Sequence, residues 1–175
     1  MVVVDTNILD FLLHAMRHGD FPRTNDAGVR AQQVATFRLF LWSGLGSVGR
    51  VAVSEVSKHP HEDKREALQR IIFNQLPEVW VQNYDKQRWT ARTAELMQHH
   101  PGELDCQLVA EAEIVEASTL LSYDKKMIRN LRPYARIDLL FPTEYWDNLG
   151  IPRGTQPKWT PAESNPLAQA TFWRW

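Results

Sequence analysis

Short apolar runs alternate with stretches of helical spacing along the first 149 residues of the chain. The apolar runs predict β-strands over residues 2–4, 79–81, 119–123 and 137–141. Helical spacing of apolar side chains predicts helices over residues 29–42, 85–99 and 104–117, and residues 8–17 also read as a helix. Further helices are predicted over the polar, charged residues 61–76, over a short stretch from Asp124 to about Leu131, and after Pro142 and Thr143. Strands that alternate with helices in this way predict a parallel sheet covered by helices.

Two stretches of this pattern carry more specific predictions. The valines within residues 48–53 predict a strand, or a strand that runs into a helix near Ser54. Over residues 104–117 the spacing places the apolar side chains in the core and the acidic ones in solvent. The acidic residues predicted to be exposed are Glu111, Glu113 and Glu116. Ligands bind beyond the carboxyl ends of the strands in parallel sheets, so a functional site is expected there.

The composition changes after residue 149. Residues 150–175 contain four prolines and four large aromatic side chains, with no helical or strand spacing. We therefore divide the chain into a domain over residues 1–149 and a Trp- and Pro-rich C-terminal extension over residues 150–175. Because large aromatic side chains bury much apolar area, the extension is expected to dock on its own domain or on a partner chain, with base stacking as a third alternative.

Composition narrows the class of protein. With 43% hydrophobic residues, the chain has enough apolar side chains to build a folded core. Its one cysteine, Cys106, excludes an internal disulfide and a zinc site of thiolates, and it fits a reducing compartment. The chain shows neither an apolar run near the roughly 20 residues of a membrane span nor a signal-peptide pattern, so a cytoplasmic protein is expected. The net charge of −1 does not by itself indicate a nucleic-acid partner.

Acidic residues follow two of the predicted strands. Asp5 comes directly after the first strand and Asp124 after a late one, and each precedes a helix. Both are therefore expected at the rim where the strands end. Asp105 lies in the first turn of a predicted helix and Glu55 near the start of another, and both could reach the same rim. Taken singly, each acid could also be a helix cap, a first-turn acid or a solvated residue.

A cluster of these four carboxylates would need a cation. Two unit charges 4 Å apart repel by roughly 4 kcal/mol at an effective dielectric of 20, and a divalent ion would offset that repulsion. Oxygen ligands select Mg²⁺ or Mn²⁺, and such a site suits the hydrolysis of phosphodiester bonds. The candidate catalytic and metal-binding residues are Asp5, Glu55, Asp105 and Asp124.

Five segments of the chain together form a family pattern. They are Val3-Val4-Asp5-Thr6-Asn7, Val53-Ser54-Glu55-Val56, the run from Asp105 to Ala112, the run from Leu120 to Lys125, and Phe141-Pro142-Thr143-Glu144-Tyr145. In order and spacing they resemble a PIN domain across about residues 1–149. The resemblance implies a three-layer α/β/α fold with a central, mainly parallel sheet. It also implies Mg²⁺- or Mn²⁺-dependent ribonuclease activity, often as the toxin of a toxin–antitoxin pair, as in VapC-like proteins.

The resemblance also implies roles and partners. The residues that match the family's metal-binding acids are Asp5, Glu55, Asp105 and Asp124. Asn7 and Ser122 match polar positions beside these acids and could orient water or a carboxylate. The implied partners are an RNA substrate, an antitoxin protein and a second copy of the chain in a homodimer. Glu62 stays a rival of Glu55 because the spacing after the second strand varies, and Tyr123 stands where the family usually has a small polar residue.

Other interpretations stay open at this point. A PIN-like RNA-binding or scaffold protein with little catalysis is compatible with the near-neutral charge. A phosphatase with Asp5 as nucleophile is less favoured, because Asn7 stands where a second acid is needed and the site has no glycine-rich phosphate loop. The histidines at positions 59, 61, 99 and 100 lack the spacing of a zinc site and are expected to be solvated. Lys125 and nearby basic residues could contact phosphate or only solvent.

Overall fold

The computed structural model describes residues 1–44, 46–75 and 85–175, and the strand predicted over residues 79–81 lies outside them. Three parallel strands form one sheet in the order β1 (Val2–Val4), β2 (Thr119–Leu121) and β3 (Asp138–Leu140). The helices are α1 (Thr6–His18), α2 (Ala27–Trp42), α3 (Arg50–Ser57), α4 (Glu62–Gln75), α5 (Lys86–Leu96), α6 (Glu103–Ile114), α7 (Lys125–Leu131) and α8 (Pro142–Asn148). A 3₁₀ turn spans Pro166–Ala168. None of the helices in these ranges is long and apolar enough to cross a membrane.

The strands place alternate side chains on opposite faces of the sheet. Val4 and Leu121 belong to an apolar cluster with residues of α1, α2 and α4. Val3, Leu120 and Leu139 belong to a second cluster with residues of α6 and α7. Both faces of the small parallel sheet are therefore buried, as is usual for parallel strands. The prediction of an α/β protein with a parallel sheet is confirmed.

Two of the three valines within residues 48–53, Val51 and Val53, lie in a helix rather than in a strand. Ser47 and Val48 are bridge residues that precede this helix. Ser47 bridges Val3 in parallel: its N–H donates to Val2 O at 2.8 Å, and its carbonyl accepts from Val4 N at 3.0 Å. From Arg50 onward the chain is α3. The prediction of a strand over all of residues 48–53 is therefore wrong from Arg50 onward. The alternative, a strand that runs into a helix, is closer to the structure, but the helix begins at Arg50 and not near Ser54.

Helix α6 packs against both α5 and α3, so its acidic residues do not share one solvent face. Glu113 accepts two hydrogen bonds from Arg92 of α5, at 2.7 and 2.9 Å. Glu111 accepts from backbone N–H groups at the start of α3. Glu116 lies beyond the end of the helix and is exposed. The prediction of a solvated face is therefore wrong for Glu111 and Glu113, because partners distant in sequence satisfy their buried charges.

Residues 151–175 pack against α2. The indole ring of Trp173 is buried, and its centroid lies 5.8 Å from that of Phe37 and 6.0 Å from that of Trp42. Arg38 donates to two backbone carbonyls near the end of the chain, each at 2.9 Å. Of the alternatives predicted for the extension, docking on its own domain is the one found in the structure.

Candidate active site

Asp5 directly follows β1 and forms the centre of the candidate site. The residue is 9% exposed, and its Oδ2 accepts from Ser122 Oγ at 2.5 Å and from Asn7 Nδ2 at 2.6 Å. Ser122 follows β2 and Asn7 lies in the first turn of α1. The parallel pairing of β1 with β2 therefore brings both of the predicted supporting residues to the predicted acid.

The electrostatic environment of Asp5 includes two more of the predicted acids. The pKa of Asp5 is raised from 3.8 to about 6, chiefly because the side chain is buried. The negative charges of Glu55 and Asp105 raise this pKa further, whereas the hydrogen bond from Ser122 lowers it. Three acids that are distant in sequence thus act on one another at the end of β1.

Glu55 reaches the end of β1 through its neighbour Thr6. Thr6 Oγ1 donates to Glu55 Oε2 at 2.5 Å, which places this carboxylate beside the residue that follows Asp5. Glu62, the rival acid in the sequence, pairs with Arg65 at 3.6 Å, and its side chain is 74% exposed. The structure therefore places Glu55, and not Glu62, next to Asp5.

Asp105 is held by a buried histidine. His100 Nε2 lies 2.6 Å from Asp105 Oδ2, and Asn130 Nδ2 lies 3.2 Å from His100 Nδ1. Because an amide nitrogen only donates, Nδ1 accepts, and Nε2 carries the hydrogen that is donated to Asp105. The expectation that His100 is solvated is wrong. Gly102 leaves the space for this contact, because an added Cβ there would lie 2.5 Å from Asp105 Oδ2 and 2.7 Å from His100 Nε2.

Asp124 adjoins the same network mainly through its backbone. Its N–H donates to Ser122 Oγ at 2.9 Å. Its Oδ1 accepts from the N–H groups of Lys126 at 2.7 Å and Met127 at 2.8 Å, so the side chain is the N-cap of α7. The simpler interpretation of this acid, a helix cap, thus describes its contacts in the structure.

The four predicted acids do not form a closed cage. Among the residues that the structure describes, no three His, Cys, Asp or Glu side chains are close enough to hold one ion. Carboxylate oxygens nonetheless fit Mg²⁺ or Mn²⁺, and Mg²⁺ usually binds one or two carboxylates while it keeps several waters. Asp5 and Glu55 fit that kind of open site, with Asp105 close enough to act on it through its charge.

Comparisons with known proteins give distant structural likenesses. No protein-family model matches the chain, and no curated protein matches it. It is similar to the FitAcB structure from Neisseria gonorrhoeae, with 14% identity, a TM-score of 0.47, and coverage of 81% of this chain and 98% of that chain. It is also similar to VapBC2 from Rickettsia felis bound to a DNA fragment from their promoter, with 16% identity, a TM-score of 0.46, and coverage of 80% and 98%. Likenesses this distant decide nothing about the activity of this chain.

Proposed function

We propose that this protein is a Mg²⁺- or Mn²⁺-dependent endoribonuclease with a PIN-like, three-layer α/β/α arrangement. The observation that carries the proposal is the buried carboxylate of Asp5 at the end of a parallel strand, with Glu55 and Asp105 acting on its charge. Carboxylates gathered at such a rim favour a divalent cation, because the cation removes their mutual repulsion.

Each residue of the network has its own role in this proposal. Asp5 and Glu55 would hold the ion, and Asp105 adds negative charge that attracts it. A divalent ion bound there supplies positive charge to a phosphate and lowers the pKa of a water molecule. Ser122 orients Asp5 by donating to one of its oxygens. Asp124 caps α7 through Oδ1 and would contribute its second oxygen toward the ion.

RNA is the proposed substrate, and its phosphates would meet the lysines at the start of α7. Lys125 and Lys126 follow Asp124 directly, and both are exposed. Lys125 also pairs with Asp26 across 3.7 Å at the surface. Phosphate contacts position a strand without reading its sequence. Because the net charge is −1, this local pair of cations, and not the charge of the whole chain, would attract the RNA backbone.

We further propose that the protein acts in the cytoplasm as the toxin of a toxin–antitoxin pair, with an antitoxin protein as partner and a homodimer as its assembly. The sequence resemblance to VapC-like PIN domains supports this role. Expression of the wild-type chain in a bacterial host is expected to arrest growth, and Asp5→Asn to relieve the arrest because it removes the central carboxylate. Growth curves at matched expression levels check this. Arrest that persists with Asp5→Asn would contradict the proposed role.

The metal-binding role of Glu55 can be tested against its rival acid. Glu55→Gln is expected to lower the rate of RNA cleavage roughly 100-fold or more, since the charge stabilisation a metal supplies is worth several kcal/mol. Mn²⁺ affinity, measured by isothermal titration calorimetry, is expected to fall in parallel. Glu62→Gln is the matched control, and it should leave both values unchanged because its side chain is exposed and paired with Arg65.

The same experiment separates the nuclease from the alternative function. An RNA-binding or scaffold protein with little catalysis is favoured by the lack of a three-residue ion-binding group among the described residues. Such a protein would bind labelled single-stranded RNA without taking up Mn²⁺ or cleaving the strand. Wild-type cleavage that continues in excess chelator would also contradict the metal-dependent mechanism.

A further inference from the structure

Glu111 is a buried carboxylate that the proposed reaction does not use. It lies on α6 and is 2% exposed. Its Oε1 accepts from Arg50 N at 2.9 Å and its Oε2 from Val51 N at 3.0 Å. These are the first two N–H groups of α3, about 60 residues away in the sequence. One side chain of α6 therefore binds the beginning of another helix.

The start of α3 needs an acceptor from elsewhere in the chain. The first N–H groups of a helix have no partner within the helix, and a side chain at the N-cap usually accepts from them. The N-cap residue of α3 is Gly49, which has no side chain. A carboxylate also suits this position because the helix dipole is positive at its N-terminus. Glu111 thus supplies from α6 the cap that α3 cannot make itself.

Gly49 leaves the space that this contact occupies. An added Cβ at position 49 would lie 2.2 Å from Glu111 Oε2 and 2.9 Å from its Cδ. The backbone at Gly49, with φ −87° and ψ 168°, is open to any residue, so the glycine is required for space and not for conformation. Glu111 can therefore cap α3 only while position 49 has no side chain, and α3 in turn needs Glu111 because Gly49 cannot cap it.

We infer that Glu111 is a positioning residue for Glu55, an inference that rests on the proposed function. Val51 and Glu55 are one helical turn apart and lie on the same side of α3. Binding of Val51 N by Glu111 sets the position and rotation of this short helix against α6. The carboxylate of Glu55 then reaches Thr6, directly beside Asp5.

A compensating pair of substitutions tests the inference. Glu111→Ala leaves two N–H groups at the start of α3 without their acceptor, and Gly49→Ser places a Cβ against the Glu111 carboxylate. Each single variant is expected to lower Tm by roughly 5–10 °C and Mn²⁺ affinity roughly 10-fold. In the double variant the clash is gone, because all three atoms nearest the added Cβ belong to Glu111, and the introduced hydroxyl caps α3 itself. The double variant should therefore recover most of the Tm and most of the Mn²⁺ affinity of the wild type.

Glu113→Ala is the matched control for a purely structural effect. Glu113 is a buried acid on the same helix, but it pairs with Arg92 of α5. This variant should have a lower Tm but an unchanged Mn²⁺ affinity. If Glu111→Ala behaves in the same way, the positioning role is wrong. If the Tm of the double variant does not recover, the inference that Glu111 caps α3 is wrong.

Failure of the proposed nuclease function can be distinguished from failure of the positioning role of Glu111. If the wild-type protein binds no Mn²⁺ and cleaves no RNA, the nuclease proposal fails, while the recovery of Tm still tests the cap. The distance between Thr6 Oγ1 and Glu55 Oε2 in a crystal structure of the Glu111→Ala variant then decides the positioning role. Retention of the 2.5 Å contact would overturn it.

Discussion

Asp5→Asn is expected to abolish RNA cleavage and to remove a pH-dependent loss of stability from the metal-free protein. The folded state raises the pKa of Asp5 from 3.8 to about 6, chiefly because of burial. The folded protein therefore binds the Asp5 proton more tightly than the unfolded chain does. Stability is highest below the unfolded-state pKa, and it falls as the pH rises through the folded-state value. A shift of this size corresponds to about 2 kcal/mol of lost stability between pH 4 and 7.

The measurement is thermal unfolding of both proteins in a chelating buffer between pH 4 and 7. Asparagine does not titrate in this range. The unfolding free energy of the variant, relative to that of the wild type, should therefore rise by about 2 kcal/mol from pH 4 to pH 7. Glu62→Gln is a suitable control, since its side chain is 74% exposed and pairs with Arg65 rather than with the Asp5 network. A constant difference between Asp5→Asn and the wild type would contradict the prediction, as would retained cleavage.

Trp173→Ala is expected to destabilise the protein by roughly 3–5 kcal/mol, the usual cost of removing a buried Trp side chain. The ring is 4% exposed and packs edge-to-face against Phe37 and Trp42. Its Nε1 also donates to Leu167 O at 2.7 Å, which ties two parts of the extension together. For a chain of this size the loss corresponds to a fall in Tm of roughly 10 °C.

Scanning calorimetry of the purified variants measures this effect. Trp159→Ala is the matched control within the same extension, because Trp159 is 53% exposed and should lose about 1 kcal/mol or less. Equal melting temperatures for the two variants would show that docking of the extension adds nothing to the stability of the domain.

The sequence correctly predicts those elements whose apolar side chains have the spacing of a strand alone or of a helix alone. The strands after Met1 and after Ser118 are found close to their predicted places, and so is Asp5 at the end of the first one. Valines three positions apart fit two kinds of structure, and the start of α3 depends instead on an acceptor in α6. A periodic pattern contains no information on such a distant partner.

Buried polar side chains are the part of the structure that the hydrophobic pattern could not reveal. Glu111, Glu113 and His100 are polar, so the pattern assigns them to solvent, but each has partners within the fold. The signals that do mark two of them are glycines: Gly49 beside Glu111 and Gly102 beside His100. A glycine opposite a polar residue of another segment becomes informative only once the three-dimensional neighbours are known.

The hydroxyl of Ser122 fixes where Asp5 can carry a proton. Its single hydrogen points to Asp5 Oδ2, and its two lone pairs already face Asn7 Nδ2 at 3.0 Å and Asp124 N at 2.9 Å. Asp5 Oδ2 in turn receives two donors, from Ser122 and Asn7. A proton taken up by Asp5 must therefore reside on Oδ1, and the oxygen that faces Ser122 remains an acceptor in both ionisation states.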